Sequence, residues 1–150
     1  MAEYTYNPVQ LVEPNANIIL ATNIRCNRGY VLHREESGLV ILRGIVNGAG
    51  CFARYQVTFN GNIAVPTDGT VGPIAIALAI DGEPILTSRA IVTPAAVEDY
   101  FNVTSTAIIT VPRGCCFNVA VENVSFGATA AGPATAINVQ NANLTVSRIA

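Results

Sequence analysis

The chain has 150 residues, 51% of them hydrophobic and only 12% charged, with a formal net charge of −2. That length suffices for one domain with a real core, while the charged share is half the usual value of about 25%. The eight cationic residues are all arginines spread from Arg25 to Arg148 without a basic block, which leaves no footing for nucleic-acid binding, and no run of about 18 apolar residues could cross a membrane as a helix.

In chain order, residues 1–16 read as an N-terminal arm ahead of one β-domain at 17–150. Met1 to Tyr6 has no basic region followed by an apolar run, so it is not a secretory signal, and synthesis in a cytoplasm is expected. Tyr4, Tyr6 and Pro8 suit an arm that docks on a neighbour; the alternative is a frayed terminus. Strands are expected at 17–22, 29–33, 39–43, 52–64, 74–81, 85–92, 100–111, 116–124 and 135–149. That makes about nine strands. Asn60-Gly61, Asp68-Gly69 and Asp81-Gly82 read as hairpin turns, and prolines punctuate the rest. The small residues of 125–134 read as an exposed loop. No segment carries a helical apolar stripe, so the fold class is an all-β antiparallel sandwich or jelly roll.

The run from Ile74 to Ile80 is the most telling. Large aliphatics alternate with alanines. Successive strand residues point to opposite faces, so Ile74, Ile76, Leu78 and Ile80 line one face and Ala75, Ala77 and Ala79 the other. Both faces are apolar, which predicts a strand buried on both sides. The bulky face suits the domain core, and the alanine face suits a second layer, such as another copy of the chain. Tyr55, Val57, Phe59, Ile76, Ala77, Leu78, Ala79 and Val119 are the candidates for the core and for an interface between copies. Low charge points the same way, because apolar surface left bare marks interaction sites.

Chemistry is sparse. Cys26, Cys51, Cys115 and Cys116 lack zinc-site spacing and read as buried small side chains. A Cys26–Cys51 bridge or links between subunits are the alternatives, and cytoplasmic synthesis argues against obligate disulfides. His33 is the sole histidine and reads as a strand-end residue beside a turn rather than half of a Cys–His pair. The carboxylates do not converge as a calcium loop requires. No metal, cofactor or catalytic set is expected. Tyr100 and Phe101 are the only candidates for a shallow saccharide site.

The run FARYQVTFNG from Phe52, the run IALAIDGEPI from Ile76, the run AIITVPRGC from Ala107 and the closing AINVQNANLTVSRI from Ala136 resemble the complement-head and tumour-necrosis-factor-like jelly roll. The segments 27–34 and 91–103 are similar to structural proteins of phages and prophages of Gram-positive bacteria. The resemblance covers about residues 17–149 and contains no collagen-like tract. It implies a homotrimer and a place in a virion, as a capsid decoration protein or short head fibre contacting the major capsid or another virion protein. A receptor- or glycan-binding module on a virion or spore surface, acting through loops near Asp81 or 125–134, is the alternative.

Overall fold

The computed structural model describes residues 2–23, 30–33, 36–45, 48–125 and 135–149. Its strands are β1 (Ala2–Tyr6), β2 (Gln10–Val12), β3 (Thr22–Asn23), β4 (Val31–His33), β5 (Val40–Arg43), β6 (Phe52–Ala64), β7 (Ile74–Ile80), β8 (Glu83–Pro84), β9 (Ala90–Val92), β10 (Phe101–Pro112), β11 (Cys116–Asn123) and β12 (Ile137–Arg148). They form two 6-stranded antiparallel sheets. The first runs β10-β6-β12-β1-β3, with β2 also on β12, and the second runs β4-β5-β11-β7-β8, with β9 also on β7. No α-helix occurs among the described residues. The fold is an antiparallel β-sandwich of jelly-roll type, with the first and last strands side by side.

Alternation builds the core. Along β6, Ala53, Tyr55, Val57 and Phe59 point inward and are fully buried. They meet Leu144 and Val146 across β12. Ile76, Leu78, Val119 and Val121 supply the opposing layer. Each such side chain contributes about 1.5–3 kcal/mol by leaving water. The Tyr55 hydroxyl donates to the Arg43 carbonyl, so the ring's polar tip is satisfied at the end of the core.

Several expectations are corrected. Residues 1–16 are not a detached arm: β1 pairs with β12 from Ala2↔Val146 to Tyr6↔Ala142, and β2 continues along the same edge. The break between them, at Asn7 and the exposed Pro8, faces a β-bulge where Asn141 has φ 56° and donates its N–H to Asn7 O at 3.2 Å. The Asn60-Gly61 pair makes no hairpin. It lies inside β6, where a Cβ on Gly61 would stand 2.8 Å from the Phe59 ring, so the glycine makes room for packing.

Strand 85–92 is split. Leu78 N–H donates to Ser88 Oγ at 2.9 Å, so a hydroxyl replaces a ladder carbonyl on that edge of β7 and a 3-10 turn, Leu86–Ser88, precedes β9. Strand 17–22 shrinks to Thr22 in β3, with an isolated bridge from Asn17 to Glu122. Ser125 is buried rather than part of an exposed loop, and 126–134 lies outside the described residues, as does Cys26. The remaining cysteines are not buried: Cys51, Cys115 and Cys116 are free and exposed.

Candidate functional site

The outward face of the first sheet is assembled by three long strands whose inward residues are fixed in the core. Register then sets lateral rows. Thr106, Thr58 and Thr145 stand side by side across β10, β6 and β12; so do Thr104, Asn60 and Asn143, and so do Asn102, Asn62 and Gln140. Ile108, Gln56 and Ser147 form a further row. The side chains hold one another. Thr58 and Thr106 hydroxyls are 3.2 Å apart. Asn102 Nδ2 donates to Asn60 Oδ1 at 2.7 Å and to Asn62 Oδ1 at 3.2 Å, and Asn62 Nδ2 donates to Asn141 Oδ1 at 3.0 Å.

Electrostatically the face is nearly neutral. Among the outward positions of these three strands only Arg54 is charged, and its guanidinium lies 4.7 Å above the Phe52 ring. Glu3, on neighbouring β1, accepts a 2.6 Å hydrogen bond from Asn143 Nδ2. Ile108 stands on β10, the edge strand of this sheet, at 63% exposure. A solvated sheet face ordinarily carries charges that keep it soluble and unpaired. This charge-poor face shares with interface cores their depletion of charged residues.

The other outward face differs. Ala75, Ala77 and Ala79 are 0–1% exposed, and Ala120 beside Ala79 is also buried. The alanine row is thus closed within one chain, which corrects its assignment to a trimer contact. Tyr55, Val57, Phe59, Ile76, Leu78 and Val119 all lie inside the core cluster. Tyr4 is fully buried, and burial pushes its hydroxyl up to about 12; its ring lies 4.5 Å from that of His33. Of the docking trio only Pro8 is exposed, with Tyr6 partly covered.

His33 ends β4 with Nε2 3.1 Å from Ser37 O. It borders a cleft of about 390 Å³ lined by Leu32, Leu39, Ile41 and Asn118. Near the start of β10, Glu98 Oε1 accepts hydrogen bonds from Thr67 and Asn138, each at 3.0 Å. Burial and the Glu98 carboxylate raise the neighbouring Tyr100 hydroxyl above its ordinary range. Phe101 beside it is 40% exposed. Among the described residues no group of three or more His, Cys, Asp or Glu could hold a metal. The polar outward face is not among the candidates read from the sequence. Its signal was there: Gln56, Thr58 and Asn60 alternate with buried neighbours, and the partner strands repeat the pattern.

No family model and no curated protein matches this sequence. Among solved structures, the globular domain of a zebrafish complement 1qA protein is similar over 96% of this chain and 94% of its own, with a TM-score of 0.53 and 12% identity. At that identity the likeness establishes the jelly-roll fold alone. The EclA C-terminal domain, a sugar-binding protein, covers 95% of this chain and 79% of its own at TM-score 0.39 and 15% identity. The CBM22-1 xylan-binding domain of Xyn10C from Paenibacillus barcinonensis covers 99% and 94% at TM-score 0.38 and 8% identity. Scores that low carry no argument for either.

Proposed function

We propose that this chain is a non-catalytic assembly module: a homotrimeric jelly roll that serves as a structural protein of a phage particle, decorating the capsid or forming a short head fibre. The observation that carries the assembly reading is the charge-poor outward face of the first sheet, with Ile108 exposed on its edge strand. Copies meeting there would cover apolar surface and pair amides with amides, and closed rotational symmetry is the usual outcome for homo-oligomers. Multivalent contact with the shell follows from three copies held together. The virion reading is supported by the resemblance of 27–34 and 91–103 to phage structural proteins. Light scattering of the purified chain in reducing buffer tests the first step, and a stable monomer at micromolar concentration sinks it. Quantitative mass spectrometry of purified particles tests the second: hundreds of copies support decoration, a few support a fibre, and absence rejects the virion.

A second reading has its own observation. Thr67, Glu98 and Asn138 offer hydroxyl, carboxylate and amide groups beside Tyr100, and the next residue, Phe101, is exposed. That chemistry suits a neutral saccharide. Binding on a glycan array that disappears in Phe101→Ala would favour a receptor-binding role.

A further inference from the structure

Cysteine is among the residue types most often buried, yet three are exposed here, and they share one rim. Residues 112–115 form a turn in which Cys115 N–H donates to Pro112 O at 3.1 Å, with Gly114 at φ +75°. The turn is tied on both flanks. Arg113 N–H donates to Cys51 O at 2.9 Å, Gly114 N–H to Ile45 O at 3.1 Å, and Gly44 N–H to Cys115 O at 2.9 Å. A Cβ on Gly44 would lie 2.1 Å from Pro112 O, so the close approach requires glycine. Cys116 opens β11 opposite Arg43, both exposed. A well-anchored rim therefore presents Cys51, Cys115 and Cys116 together.

Geometry limits how these thiols pair. Adjacent residues across a trans peptide have Cα atoms about 3.8 Å apart, whereas a disulfide spans roughly 4.4–6.8 Å. Cys115 and Cys116 are thus poor partners for each other. At most one bridge forms within the rim, and at least one thiol is left facing outward.

We propose that this rim is a thiol-exchange site that joins copies of the chain covalently when the assembly meets an oxidising medium; the proposal rests on the assembly reading above. A rim thiolate attacks one sulfur of a small disulfide such as glutathione disulfide, forming a mixed disulfide and expelling one glutathione thiolate. A rim thiolate of a second copy attacks the protein sulfur of that mixed disulfide and expels the second glutathione. Two protein thiols are oxidised, one small disulfide is reduced to two thiols, and the two protein protons pass to the thiolates released. The exposed Arg43 and Arg113 attract the anionic disulfide. Asp81, held at the same end by its bonds to Asn118, and the exposed Glu83 let a second copy's rim meet both charge signs.

The test mixes isotopically labelled and unlabelled full-length chains, exposes them to glutathione disulfide, and reads non-reducing gels and linked peptides by mass spectrometry. The expected result is a shift to multiples of the chain mass, with mixed-label peptides joined through Cys51, Cys115 or Cys116, and reversal by dithiothreitol. The shift should vanish in C51S/C115S/C116S, whose exposed sites leave the fold intact. Chains that stay at single mass, carry only glutathione or an internal bridge, or still link in the triple variant overturn the proposal. Light scattering of the same sample under reduction keeps the two readings apart. A reduced trimer that never links overturns the rim alone, and a reduced monomer that links overturns the trimer alone.

Discussion

Two adjacent residues on β11 illustrate opposite ways of burying polarity. Asn123 is fully buried and fully used. Its Nδ2 donates to Val12 O at 3.0 Å and Thr135 O at 2.8 Å, and its Oδ1 accepts from Ser125 N at 3.0 Å and Oγ at 2.6 Å. Ser125 Oγ also accepts the Ala75 N–H at 3.0 Å, so one amide ties β2, β7, β11 and the approach to β12. Asn123→Ala would strand several buried groups at once and should cost about 3 kcal/mol, measurable by urea unfolding; a loss under about 1 kcal/mol would mean the node is dispensable. Glu122 points to the other side, among alanines, at 6% exposure. Burial, and next the Glu83 carboxylate, hold its carboxyl above the ordinary range. The fold favours the neutral form, so this contribution is complete below the ordinary carboxylate range and is lost as pH rises through the raised value. Glu122→Gln should therefore melt about 2–4 °C above the parent at neutral pH, and the difference should close as pH falls to about 4. A gap that stays constant with pH would show that the carboxyl does not titrate with folding.

Among elements, legibility followed environment. β6, β7, β10 and β11 are readable to within a residue or two because their side chains alternate between a core and another surface, and alternation is visible in sequence. β1 is not, since Ala2 to Tyr6 resembles any polar terminus, and only Val146, Leu144 and Ala142 of distant β12 decide that Ala2 and Tyr4 are buried. The break in strand 85–92 is not legible in the sequence, because one hydroxyl, that of Ser88, takes over a backbone bond. Low charge points to an interface, yet the alternating residues of β7 are covered by the chain itself, while the outward face of the first sheet stays open with little charge. Two substitutions separate these cases. Tyr4→Ala removes a fully buried ring from β1 and should destabilise the isolated chain by about 3–5 kcal/mol; an unchanged urea midpoint would return the terminus to the status of an arm. Ala77→Leu adds bulk at a closed position and should cost about 1–3 kcal/mol with or without assembly. An effect confined to the oligomer would put the alanine row at a subunit contact after all.

At the scale of the whole molecule, the two sheets divide the work. One closes both of its sides at β7, and the other closes only its inner side and leaves a flat neutral face outward. Along its three long strands that face offers only Arg54 as a charge. Position 108, exposed on the edge strand of that face, is where a charge would matter more to association than to folding, because the Ile108 side chain stands outside the core. Ile108→Glu should therefore leave the unfolding free energy of the isolated fold within about 0.5 kcal/mol of the parent, as surface substitutions do. In a homotrimer joined through this face it would place one carboxylate per copy in the contact, away from water and without a partner charge. The expected outcome is a shift from trimer to monomer in light scattering at equal concentration, with Ile108→Thr retaining the trimer because it matches the threonine rows beside it. A trimer that survives Ile108→Glu would move the contact to another surface.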